Sequence, residues 1–150
     1  DSAGQARMVD VTDKQPTKRA ATASATVVCD PEILKRIASG EMPKGDVLAV
    51  ARIAGIAAAK RTPELLPLAH VIGVHGAAVD LTLGPESIEV VATVRTADRT
   101  GVEMEALTAA SVAALALIDM VKGLDRHAHI REVKLLAKEG GRSGSWRRDA

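Results

Sequence analysis

The stretch "AAVDLTLGPESIEVVATV", residues 77–94, decides the fold. Ala77, Val79, Leu81 and Leu83 fall at every second position, as do Ile88, Val90, Ala92 and Val94, with Asp80, Thr82, Glu89 and Thr93 among the residues between. Alternation of period two places one side chain in two on a buried face, which is the mark of a half-buried strand. Gly84, Pro85 and Glu86 separate the two runs, so the segment predicts an antiparallel hairpin.

Upstream, "AATASATVV" at 20–28 is rich in Thr, Val and Ala and predicts a strand. Asp30 is placed to cap a helix with Pro31 in its first turn, Ile33, Leu34 and Ile37 at helical spacing, and Gly40 as its stop. A second helix after Gly45 is apolar over more than half its circumference, from Val47 to Ala58, which predicts burial on several sides. "RTPELLPLAH", residues 61–70, carries two prolines and is expected to be irregular or extended. Downstream, "TGVEMEALTAASVAALALIDMVKGLD", residues 100–125, reads as the longest helix or a strand turning into one, and "IREVKLLAK", 130–138, as a last strand. Strand, two helices, hairpin, helix and strand in that order predict an α+β sandwich: an antiparallel sheet with helices packed on one face, on the ferredoxin-like plan. The expected organisation is a single domain over 1–150, with residues 1–16 as an arm and 139–150 as a basic, glycine-rich tail.

Composition restricts what such a domain can do. Hydrophobic residues make up 47% of the 150, yet there is no Phe or Tyr and only one Trp, Trp146. Each side chain of a core built from Ala, Val, Leu and Ile buries less area than an aromatic ring would, so subunit contacts are expected to supply part of the burial. A single cysteine, Cys29, excludes an internal disulfide and fits a buried thiol in a reducing compartment. A net charge of +1 argues against a nucleic-acid surface. The apolar run Leu107–Ile118 is shorter than the roughly 20 residues of a membrane helix, and no basic leader precedes an apolar block, so no membrane association and a cytoplasmic location are expected.

The charges that remain are candidates for chemistry. Glu105, Ala109, Val112, Ala116 and Asp119 fall along one side of a helix, with Lys122 about 60° further round. Glu105 and Asp119 are 14 residues apart, or ~21 Å of helix, so they reach one small ligand only if a second subunit brings one end to the other. Glu103 and Glu105 flank Met104. In an extended segment both carboxylates would point the same way and suit an edge rich in N–H donors; in a helix they are an acidic first turn. Asp119 and Lys122, three apart, are either a surface pair or a coupled proton relay. His70, at an element boundary, is a structural histidine or a pocket one. Lys44, with Gly45 and the following helix N-terminus, could meet a phosphate, although the frame of a P-loop is missing. His75, His127 and His129 show no zinc-ligand spacing, and no metal site is expected. Lys14, Lys18 and Arg19 near the start and Lys134, Lys138, Arg142, Arg147 and Arg148 near the end could converge on an anion or be solvated tails.

The strings "MVDVTDK", "KGDVLAVARIAGIAAAKRTPELLPLAH", "TGVEMEALTAASVAALALIDMVK" and "VKLLAKEGGRSG" resemble the cyclic pyranopterin monophosphate synthases of molybdenum cofactor biosynthesis, from Met8 to Gly144. The resemblance implies that a cyclised dihydro-GTP is rearranged to a pyranopterin bearing a cyclic phosphate, with release of diphosphate. It further implies a hexamer built from three dimers with active sites between subunits, Lys44, His70, Asp119 and Lys122 sharing one pocket. Asp119, Lys122 and Lys44 match the family's catalytic positions. Leu68, Ala69 and His70, then Glu103, Met104 and Glu105, match its substrate-binding segments. Arg19, Lys14 and Lys138 match basic positions that would meet the triphosphate. No cofactor is required, and magnesium could accompany the triphosphate. Where the family reads Pro-Leu-Cys-His-Pro, this chain has Pro67, Leu68, Ala69, His70 and Val71, which brings in a second reading, a silent paralogue that binds a purine or pterin triphosphate.

Overall fold

The computed structural model describes residues 4–149; residues 1–3 of the arm and Ala150 of the tail lie outside the described residues. In chain order the elements are β1 (Thr17–Val28), α1 (Pro31–Ser39), α2 (Val47–Lys60), the single turn α3 (Thr62–Leu65), β2 (Gly76–Leu83), β3 (Ser87–Asp98), α4 (Glu103–Val121), β4 (His129–Gly140) and β5 (Trp146–Arg147). They build one antiparallel sheet in the order β2-β3-β1-β4-β5. Its first four strands follow the ferredoxin-like plan, with β1 and β3 central and helical crossovers between strands. The quoted hairpin is β2 and β3, with Val79 opposite Ala92 and Leu83 opposite Ile88, and Gly84 N–H donates to Ser87 O at 2.8 Å across the turn.

Local chemistry places the helix ends. Asp30 accepts from Glu32 N–H at the start of α1, and Gly40, at φ 75°, closes it with N–H groups aimed at Arg36 and Ile37 carbonyls. Asp46 accepts from Ala49 N–H to cap α2. Three segments differ from expectation. β1 starts three residues before Ala20, because Thr17 is already paired with Asp98. "TPEL" makes a helical turn instead of extended chain, since Thr62 Oγ1 donates to the carbonyls of Ala58 and Ala59 and carries the helix onward. The tail reverses through Gly140, Gly141 and Gly144, all at positive φ, and returns Trp146 to pair with Lys138.

The core lies between the sheet and α4. Ala21, Ala23, Ala25 and Val27 of β1 and Ile88, Val90, Ala92 and Val94 of β3 form one fully buried face. Ala106, Ala109, Ala110, Ala113 and Leu117 of α4 are equally buried, at helical spacing. Methyl groups on both sides allow a close approach of helix and sheet. By length and composition α4 is apolar enough to cross a bilayer, but half of it is buried inside the domain, as in a core helix. Helix α2 packs on α4 through Val47, Ala51, Gly55 and Ala58, whereas Val50 is 42% and Ile53 is 68% exposed. Its expected burial on several sides is therefore absent within one chain. Cys29 is buried, and desolvation followed by the adjacent Asp125 carboxylate pushes its thiol up to about 11, which keeps it a neutral packing group.

Candidate active site

Helix α4 presents one set of charges at each end. At its C-terminal end, Lys122 Nζ donates to Asp119 Oδ1 at 2.5 Å across one helical turn. The loop between α1 and α2 swings Lys44 into the same place, where its Nζ donates to Asp119 O at 3.0 Å and lies 3.6 Å from Oδ1. Lys44 therefore serves the end of α4, not the N-terminus of α2, which the Asp46 carboxylate already occupies. The hydrogen bond from Lys122, its charge and the charge of Lys44 hold Asp119 below the usual aspartate range. The three side chains are each half exposed or more, so they face open space. An ionised carboxylate between two ammonium groups can accept a proton while a neighbouring lysine delivers one. A group with a lowered pKa keeps its charge above the unfolded value and loses it only as pH falls through the lower folded value. Lys122→Ala is accordingly expected to move the Asp119 titration upward, toward the ordinary ~3.9, as read from its carboxyl carbon by NMR.

At the other end, Lys14, Arg19, Lys138, Arg142, Ser143 and Glu103 line one cleft with Thr100 and Gly101. Arg19 Nε donates to Asp98 O at 3.2 Å, and Nη2 to Arg99 O at 3.4 Å. Lys138 Nζ hydrogen-bonds Ser143 Oγ, which folds the tail over the end of β4. A Cβ on Gly140 would strike the Lys18 carbonyl and one on Gly141 the Arg19 guanidinium, so the turn closes this tightly only with glycine. Tail and start thus converge, Arg142 among the cations expected to do so and Ser143 as an additional lining residue. Their signal in the sequence was "GGRSG", two glycines that free the backbone beside a cation.

The loop carrying Leu68, Ala69 and His70 lies next to this end. His70 Nε2 meets Val9 O, which ties the arm residues Met8–Thr12 to the loop. Glu103 and Glu105 do not point the same way, because both are in the first turn of α4 rather than in extended chain. Residues two apart on a helix differ by about 200°. Glu103 faces the cleft, Glu105 is only 3% exposed, and Met104 between them is exposed. Burial first, and then the Glu103 charge, raise the Glu105 pKa; its own backbone N–H and His70 act in the opposite direction. A raised carboxyl pKa contributes stability that is complete below the unfolded value and lost as pH rises through the folded one. Glu105→Gln is therefore expected to melt above the parent at neutral pH, the difference vanishing below pH ~4 in thermal scans.

The two ends remain about 21 Å apart along the helix. Lys44, Asp119 and Lys122 are together in a single chain; His70, Glu105 and the basic cleft are not with them.

The MoaC family model matches residues 8–141. A cyclic pyranopterin monophosphate synthase from Geobacter metallireducens is 58% identical, covering 99% of this chain and 94% of the relative. Those of Chloroflexus aurantiacus and Streptomyces avermitilis are 56% and 54% identical, again across 99% of this chain and covering 92% and 87% of the relatives. The chain belongs to the MoaC family.

Within this MoaC chain the departure around His70 has a local account. Ala69 is half-buried in place of the cysteine, and a methyl group fills that small space. Val71 stands where the family pattern has proline, and it is 85% exposed, so it serves no packing role here. What fixes His70 is its bond to the arm, which leaves the ring available at the surface.

Proposed function

We propose that this chain is a cyclic pyranopterin monophosphate synthase of molybdenum cofactor biosynthesis, a lyase that converts 3',8-cyclo-7,8-dihydroguanosine 5'-triphosphate to cyclic pyranopterin monophosphate and diphosphate. The observation that carries the mechanism is the division of charge between the ends of α4: a proton-transfer cluster at one and a cationic cleft at the other. A substrate with a ring to rearrange and a triphosphate to hold needs both. Asp119, with Lys122 and Lys44, moves protons on and off the ring. Glu103 accepts from its N–H edge, with Met104, Leu68, Ala69 and His70 around it and Glu105 buried behind. Lys14, Arg19 and Lys138 hold the triphosphate, and their charge stabilises the phosphorus centre as a sugar oxygen attacks and diphosphate leaves.

One chain does not bring these groups together, so the site is shared between subunits of a homo-oligomer, read as a hexamer made of three dimers. The exposed apolar side of α2, Val50 and Ile53, and Leu115 of α4 support that reading, because they supply the surface a partner would cover. No cofactor is needed for the steps given. Magnesium could ride on the triphosphate, where phosphate oxygens supply its preferred ligands. The same reading places the enzyme in the cytoplasm, free of membrane and nucleic acid. The test is single-turnover conversion of the cyclised triphosphate, following diphosphate and pyranopterin together. Both products are expected; tight binding with neither would make this a silent paralogue.

A further inference from the structure

The last residues of β3 are tied at once to three separate parts of the cationic end. Asp98 Oδ2 accepts from Gly73 N–H at 3.1 Å, and Thr96 Oγ1 donates to Gly73 O, so the loop that carries His70 is pinned a few residues beyond the histidine. Asp98 Oδ1 accepts from Arg99 N–H at 2.7 Å, which sets the backbone of the following residue. The carbonyls of Asp98 and Arg99 then receive the Arg19 guanidinium. Arg99 Nε donates to Lys14 O at 3.1 Å and holds the arm in place. Asp98 closes the β1–β3 ladder opposite Thr17, and these side-chain contacts reach beyond it into the segment that precedes α4 at Glu103.

The geometry points to Asp98 as a positioning residue for the shared site: through Gly73 and Arg99 it sets the His70 loop, Arg19 and Lys14 at one spacing for the triphosphate and the ring. It touches no substrate itself. An aspartate is suited to the task, since its two oxygens each take one backbone N–H, whereas the amide of asparagine offers a single acceptor oxygen. The inference rests on the synthase reading for its kinetic test, and on the cleft alone for its binding test.

Asp98→Asn is expected to raise KM for the cyclised triphosphate roughly tenfold to a hundredfold, with kcat changed far less, because misplaced binding groups weaken capture before they alter proton transfer. Melting temperature and oligomer mass should stay at parental values, and the effect should be strongly non-additive with Arg19→Ala. An unchanged KM, strict additivity, or a loss that follows melting temperature would overturn the proposal. Should Asp98→Asn fail to fold, Arg99→Ala, which frees the arm from an exposed position, must raise KM in the same way; an unchanged KM there overturns it too. Calorimetric binding of inorganic triphosphate separates this inference from the synthase reading. Weaker binding by the variant supports the positioning role even where no pyranopterin forms, and equal binding refutes it even where the parent is fully active.

Discussion

Asp119→Ala subunits are expected to fold and assemble like the parent and to lose turnover by about 10²–10⁴, the usual contribution of a general acid or base. The Asp119 side chain is 57% exposed, so its removal costs little structure; a drop in melting temperature alongside activity would make it structural. The stronger form of the prediction uses two inactive variants. If each site takes its Asp119 end from one chain and its Lys138 end from another, random mixing of Asp119→Ala with Lys138→Ala subunits leaves about a quarter of sites intact, by counting over a two-fold contact. Mixing Asp119→Ala with Lys44→Ala should restore nothing, because Lys44 and Asp119 lie on the same end of the same chain. No recovery in the first mixture would refute the shared site, and recovery in the second would refute the pairing of Lys44 with Asp119 of its own chain.

Gly55→Leu is expected to have the largest effect on folding. A Cβ alone at this position would sit 2.9 Å from the Ala109 carbonyl oxygen, 3.0 Å from Val79 Cγ2 and 3.1 Å from Ala113 Cβ. Two of those neighbours belong to α4 and one to β2, so relief requires α2 to move away from both. Overpacking a tight core costs about 1–3 kcal/mol, and a whole leucine at a helix crossing belongs at or beyond the upper end of that range. Against a total stability of about 5–15 kcal/mol, this should appear as a large fall in denaturant midpoint, with Gly55→Ala intermediate. A midpoint unchanged by leucine would mean that the α2–α4 contact is looser than the alanine and glycine packing indicates.

The hairpin could be read from sequence because period two marks a buried face whatever lies over it, and the cap at Asp30 could be read because capping is local. The Asp119–Lys122 pair was legible for the same reason, three residues being one turn. Lys44 was brought to Asp119 only by the resemblance, because its partner is 75 residues away and no local rule reaches that far. Glu105 stayed open because strand and helix readings of "GVEMEA" put its carboxylate on opposite sides, and only the packing of α4 decides between them. Arg142 was one of several cations left between an anion site and a solvated tail, and Ser143 was seen only as part of that tail. Their place in the cleft depends on the glycine reversal and the pairing of Trp146 with Lys138, which no hydrophobic pattern records.

That last pairing makes the molecule its own optical probe. With no Tyr or Phe, all near-ultraviolet emission comes from Trp146, which stacks near the Arg148 guanidinium at 5.5 Å. Its indole is partly solvated and sits on the strand next to Lys138. Fluorescence of the unlabelled protein therefore reports events beside Lys138, and a quench on mixing with inorganic triphosphate, which has no ring to rearrange, would time the arrival of the phosphates there.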